Sequence, residues 1–201
     1  MTTTKKTTTK KTKTVNVTAK SSTNLNLPKN PFMFEILGLV SGQRSKAKKI
    51  EVLRKYNEPC LRGILIWNYD ESVVTLLPEG EVPYADPEDQ VTYSGTLTTK
   101  IEESVRKIYE NGSFSLGAGD SNGRTTIRRE FKNFYQFLKG GNPGLSSIRR
   151  ETMFINIIQG LHPLEAELLC LIKDGNLEDK YKITKEIISE AYSEIKWGGR
   201  S

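Results

Sequence analysis

The sequence predicts an all-α, mainly helical protein: a disordered N-terminal tail, then two small helical lobes, 32–110 and 124–201, joined by a flexible Gly/Ser-rich loop at 111–123. Three observations carry that expectation. After residue 31, apolar side chains recur at the three-to-four-residue spacing of amphipathic helices. Helix-start residues and stop glycines flank those stretches. The first 24 residues, MTTTKKTTTKKTKTVNVTAKSSTN, hold almost nothing apolar, so burial cannot offset the entropy of ordering them. Residues 1–31 therefore read as tail and linker, with Pro28 and Pro31 marking the linker.

The elements follow in order. An apolar stretch at 32–40 is closed by Ser41-Gly42, and Ala47, Ile50, Leu53 and Tyr56 recur at helical spacing within 44–56. Pro59 suits a first helical position, opening a helix through 61–67. A buried strand is the alternative for 61–67, since a short apolar run has no decisive period. Asp70 is placed to N-cap a short segment ending before Pro78. Residues 78–97 are acidic, Pro-bearing and unpatterned, and read as a long connection. A helix at 99–110 carries Ile101, Val105, Ile108 and Tyr109, with Gly112 as its C-cap. In 125–139, Ile127, Phe131, Phe134, Tyr135 and Leu138 form an α-helical apolar stripe that Gly140-Gly141 stops. Asn142-Pro143 reads as cap and first residue of the next helix. Pro163 opens another, ending at Lys173-Asp174-Gly175, and Thr184 caps the last; the end from Trp197 reads as flexible.

Composition sets limits on function. No run approaches the roughly 18 apolar residues that span a bilayer, and the basic start lacks the apolar core of a secretory signal. Cys60 and Cys170 show neither CxxC nor Cys/His ligand spacing, and Cys170 sits in an apolar run as a small buried thiol, which fits a reduced, cytoplasmic protein. The net charge of +6 is unevenly placed: the six lysines of 1–24 face no acid there, and the remaining 24 basic residues face 24 acidic ones. The excess positive charge belongs to the tail, attached to a formally neutral body.

Motifs of catalysis and ligation are weak. The loop from Ala118 to Thr125 imitates a phosphate-binding loop, but Arg124 stands where the lysine is needed and no buried parallel strand precedes it. The same loop is too short and too poor in carboxylates for an EF-hand. His162 is the sole histidine and precedes Pro163 at a helix start, so capping or packing is its expected role. Glu165 and Glu167 fall in a first helical turn, where the helix dipole favours carboxylates. The acidic run at 79–89 reads as a solvated loop. No catalytic constellation, metal site or cofactor is expected.

Three basic features remain. Lys5, Lys6, Lys10, Lys11 and Lys13 make an electrostatic arm suited to a phosphate backbone, with a solubilising tail or a short address as the alternative. On the helix at 44–56, Arg44, Lys48 and Lys55 project together, opposite Ile50 and Leu53. Arg124, Arg128, Arg129 and Lys132 precede Arg149 and Arg150, and antiparallel packing of those two segments would join them into one patch. A helix-turn-helix at 163–195 is disfavoured: its connection, 174–183, is too long, and Glu186, Glu190 and Glu194 on the final helix would repel phosphate.

The stretches FEILGLVSGQRSKAKKIEVLRKY (34–56), ILIWNYDESVVTLLPEGEVPY (64–84), IRREFKNFYQFLKGGN (127–142), IRRETMFINIIQGLHPLEAELLCLIKDGNL (148–177) and YKITKEIISEAY (181–192) resemble an uncharacterised family encoded by contractile-tailed phages, notably those infecting marine cyanobacteria. The resemblance covers most of the chain from Phe34 onward and leaves the tail outside. It implies production in an infected bacterial cytoplasm and assigns no activity or site. The expected function is that of a non-enzymatic accessory protein binding nucleic acid or a replication or transcription complex. Its phosphate contacts would come from Arg44, Lys48, Lys55, Arg124, Arg128, Arg129, Arg149 and Arg150, with the tail adding affinity. The alternative is a virion structural or assembly component, or an adaptor docking on a host protein.

Overall fold

A computed structural model of the protein describes residues 26–111 and 123–200. The tail lysines Lys5, Lys6, Lys10, Lys11 and Lys13, Gly112, and nearly all of the 111–123 loop lie outside the described residues. Within them the secondary structure is helical, with isolated bridges in place of strands.

The helices of the first half are α1 (Met33–Ser41), α2 (Lys46–Lys55), α3 (Pro59–Tyr69), α4 (Pro87–Thr92) and α5 (Leu97–Glu110). The second half has α6 (Ile127–Glu130), a 3-10 helix (Phe131–Phe137), α7 (Ser147–Gly160), α8 (Pro163–Lys173), α9 (Leu177–Tyr181) and α10 (Lys185–Ala191). Local chemistry accounts for many starts. Ser45 accepts from the Lys48 N–H, Thr96 forms a reciprocal box with Thr99, and Pro59 and Pro163 occupy first-turn positions where the missing N–H costs nothing. The alternative at 61–67 resolves to helix, since Pro59 nucleates α3 and its apolar residues reach the core at helical spacing: Leu61, Ile64, Leu65.

The apolar faces merge. α5 packs along α8, α10 along α2, α1 against α2, and α3 against α8. A continuous cluster runs from Met33 through Leu61, Phe137 and Leu168 to Tyr192, so residues 32–110 and 124–201 contribute to one shared core.

Several local expectations are corrected. Asp70 ends α3 instead of capping a helix after it, because its carboxylate already receives the Ser72 N–H at 3.0 Å. The Val73 N–H closes a turn onto the Asp70 carbonyl, and Thr75 then bridges antiparallel to Leu138. The connection at 78–97 contains α4, opened by Asp86 accepting from the Glu88 N–H. The connection at 174–183 contains α9. The helix expected from Asn142-Pro143 begins at Ser147, capped by Ser146; Asn142 turns its carboxamide back onto the Gly144 N–H at 3.2 Å. Cys170 is half-buried and Cys60 buried. The chain end is tethered: Trp197 Nε1 donates to Ser189, Gly198 N–H to Asp70, and Arg200 N–H to Ser72.

The most consequential correction lies at 125–139. Only four residues there are α-helical; the next seven form a 3-10 helix. With three residues per turn, positions three apart eclipse. Phe131, Phe134 and Phe137 therefore share the inner face, while Tyr135, expected inside, is 53% exposed. Phe134 meets Trp67 edge-on at 5.6 Å and Phe137 meets Phe154 at 5.4 Å, so the tighter helix is secured by aromatic packing.

Candidate nucleic-acid interface

The 3-10 geometry divides residues 130–137 into three faces. Phe131, Phe134 and Phe137 go inward. Glu130 and Asn133 form a second face, and Lys132 and Tyr135 a third that is exposed. On α7, Arg149, Thr152, Met153, Asn156 and Ile157 fall at i, i+3, i+4, i+7 and i+8, a single helical stripe. That stripe stands opposite the Glu130/Asn133 face. Together with Thr125 the two faces line an open groove of about 490 Å³.

Six of the eight lining residues bring hydrogen-bonding groups (two hydroxyls, two carboxamides, one guanidinium and one carboxylate), set among apolar surface to which Met153 and Ile157 contribute. Glu130 is held in place, its Oε1 accepting from Thr125 Oγ1 at 2.7 Å and its Oε2 from Asn133 Nδ2 at 3.0 Å. Thr125 is positioned by its own main chain, since the Arg124 and Thr125 N–H groups both donate to the Gly160 carbonyl and Thr125 bridges to Leu161. Arg124, Arg129, Lys132 and Arg149 are exposed. For none of these four is an intramolecular ion pair found among the described residues.

The other candidate cations divide into those facing solvent and those occupied by the fold. Arg128 forms a two-point ion pair with Glu58, at 2.8 and 2.7 Å, and also donates to the Pro31 carbonyl. The Glu58 carboxylate holds its guanidinium still more basic than usual. Arg150 is 7% exposed and donates to the carbonyls of Gln136, Asn142 and Leu145. These two serve the fold. Arg44, expected on this helix, lies before its Ser45 cap; it and Lys48 on α2 are exposed, while Lys55 donates to Asn26 and lies over the Tyr56 ring. The remaining cations of that helix hold the end of the chain's helical run: Lys46 pairs with Glu190 and Arg54 donates to the carbonyls of Glu190 and Ala191, all on α10, while Lys49 donates to the carbonyl of Lys182, which ends α9. Of these, Arg54 caps the C-terminus of α10. α2 packs against α1 and α10, whereas the groove lies between the 3-10 helix and α7, so the two basic clusters belong to different groups of elements.

A buried polar centre also lies beneath α6. Glu165, 1% exposed, accepts the Ile127 N–H at 2.8 Å and the Met33 N–H at 3.2 Å, joining the starts of α6 and α1. Burial pushes its carboxyl up to about 7, against the pull of those two donors and Arg128. His162 caps α8 through Nδ1, which accepts the Leu164 N–H at 3.1 Å, and its ring stacks on Phe34 at 5.3 Å, in keeping with the capping and packing role expected for it. Burial pushes the Cys60 and Cys170 thiols up to about 12, so both stay protonated at neutral pH.

Sequence reasoning missed the groove itself. Its one legible trace is the run of short polar residues, Thr152 and Asn156, at helical spacing behind Arg149. The facing residues Glu130 and Asn133 lie three apart, a spacing that shares a face in either winding, and only the packing of that segment against α7 makes them a groove wall.

Among the described residues, no helix is long and apolar enough to cross a membrane, and no group of His, Cys, Asp and Glu residues is placed to hold a metal ion. No curated protein and no solved structure matches the chain. Residues 36–121 and 116–179, which include the groove, α2 to α8 and most of α1 and α9, match a family of unknown function. With well over half of its length covered, the chain belongs to that family, DUF6433.

Proposed function

We propose that the protein is a non-enzymatic phage accessory protein that binds nucleic acid, on its own or within a replication or transcription complex, through the face around the α7 groove. The observation that carries this reading is the placing of four exposed cations, none ion-paired among the described residues, around one groove: Arg149 lines it, and Arg124, Arg129 and Lys132 are exposed on the segment that forms its other wall. Cations already paired with carboxylates contribute little to phosphate binding, because each release of counterions requires an available positive charge. That criterion removes Arg128, burial against three carbonyls removes Arg150, and Arg44 and Lys48 are left as a secondary patch. The tail lysines add sequence-independent attraction.

The test is salt-dependent binding of a fluorescent oligonucleotide to the full chain. Affinity is expected to fall steeply with salt, and replacing Arg129, Lys132 and Arg149 together by Gln is expected to flatten the log–log slope by roughly 2, at about 0.7 per single-strand phosphate contact. Absence of binding at low salt, or an unchanged slope in that variant, overturns the reading.

A second reading rests on Val74 and Leu76, which are 43% and 39% exposed beside the bridge from Thr75 to Leu138. Such residues suit a protein contact, as in a virion component or host adaptor. Mass spectrometry of purified particles separates the two readings: many copies per particle favour this second one.

A further inference from the structure

We propose that the α7 groove takes an unpaired nucleobase, which makes the ligand class single-stranded nucleic acid; this rests on the nucleic-acid reading above and narrows it. The argument turns on Glu130. A groove built for phosphate alone has no use for a carboxylate in its wall, since like charges repel and bare anions need donors only. Here the wall combines donors and acceptors: Asn133 and Asn156 offer both, Thr125 and Thr152 offer hydroxyls, Arg149 donates and Glu130 accepts. Met153 and Ile157 add apolar surface between these groups, and a base, with a donor-and-acceptor edge on a flat apolar ring, matches both parts of the lining. The Glu130 carboxylate keeps accepting capacity after its bonds from Thr125 and Asn133, because each oxygen has a second lone pair. An exocyclic amino group, as on adenine or cytosine, is the donor that fits it.

Size agrees. A volume of about 490 Å³ lies within the roughly 300–1,000 Å³ range of small-molecule sites, and a groove of that size admits a base with its sugar but not a duplex. The neighbouring face supplies what a single strand needs next. Tyr135, 53% exposed, offers its ring for stacking by an adjacent base, and Lys132, one 3-10 turn away on the same face, is placed for its phosphate. The cations thus hold the strand while the groove and Tyr135 engage bases.

The experiment measures anisotropy of the full chain with fluorescent oligonucleotides of equal length: dA, dC and dT homopolymers, an abasic strand, and a duplex. Single strands carrying bases are expected to bind about tenfold tighter than the abasic strand. Tyr135→Ala should remove most of that difference, and Tyr135→Phe should retain it. Glu130→Gln should lower the preference for dA and dC over dT several-fold at an unchanged salt slope. Asn156→Ala, on an exposed position of α7, should weaken binding of strands with bases while leaving the abasic strand unaffected. Because Glu130 also braces Thr125 and Asn133, Asn156→Ala keeps the test independent of that bracing. Salt-sensitive binding that ignores the presence of bases, or that favours the duplex, overturns the base-groove proposal while leaving the broader reading standing. Equal tightening on every strand in Glu130→Gln also overturns it, since that result marks mere removal of a repulsive charge. Loss of all salt-sensitive binding overturns both.

Discussion

Glu165 accepts the main-chain N–H of Ile127 at 2.8 Å, so the first residue of α6 is anchored by a side chain from the first turn of α8. Its other oxygen takes the Met33 N–H, which opens α1. Two helix starts that would otherwise bury unpaired N–H groups are satisfied by one carboxylate. The same carboxylate sets a pH dependence. Its folded value, about 7, lies above the ordinary 4.5, so the stability it contributes is full below about 4.5 and is lost as pH rises through about 7. Urea unfolding is expected to show stability from this group declining between pH 5 and 7.5 by on the order of 3 kcal/mol. Glu165→Gln should start lower, since its NH2 cannot accept the second N–H, and should flatten that slope. A slope identical to that of the parent chain would refute the assignment.

Asp70 acts in the opposite sense. Burial works against its carboxylate, but hydrogen bonds from Ser72, from the Gly198 N–H and from Arg200 outweigh it and hold the carboxyl below its ordinary value. The stability it contributes is therefore present above the ordinary carboxylate range and lost as pH falls through the lower folded value. Asp70→Asn is expected to cost about 1–3 kcal/mol at pH 7 and to remove this acid-side loss. Trp197, one residue before Gly198, should report release of the chain end through a change in fluorescence.

Arg149 and Arg150 are neighbours with opposite tasks. Arg150→Met should destabilise the chain by about 2–3 kcal/mol, because three half-buried carbonyls lose a charged donor. Arg149→Met should leave unfolding within about 0.5 kcal/mol of the parent and weaken nucleic-acid binding. Matched effects of the two substitutions on stability would contradict this division.

Gly63 marks a close approach. A Cβ there would lie 2.3 Å from the Phe131 ring, so Gly63→Ala forces the ring off its site despite the better helix propensity of alanine. The expected cost is about 1–3 kcal/mol. Pairing it with Phe131→Leu should recover part of that cost, which a double-mutant cycle of unfolding energies measures directly.

Much of the fold was legible locally. Pro59 and Pro163 stand at helix starts as their chemistry requires. Thr184 holds the expected position before α10 but turns its hydroxyl to Glu186 without capping the main chain. The starts and stops of α2, α5 and α8 fall within two residues of the periodic stretches. The short elements were not. α4 and α9 have six and five residues, too few for an apolar period to emerge, and α4 buries no side chain at all. The shift from α to 3-10 winding at Phe131 was also hidden, because Phe131 and Phe134 suit either period and only Phe137 and Tyr135 distinguish them.

The sequence alone determined the helical class, most helix boundaries and the placement of excess positive charge in the first 24 residues, since caps, periodicity and composition act within a few positions of the chain. Tertiary structure decided which cations remain available. Arg149 and Arg150 are indistinguishable as a dipeptide, yet they lie about 100° apart on α7, one facing a groove and the other three carbonyls. Glu165 read as an ordinary first-turn acid until Met33, 132 residues away, was brought against it. Pairing and burial are set by partners distant in the chain, and no local pattern records them.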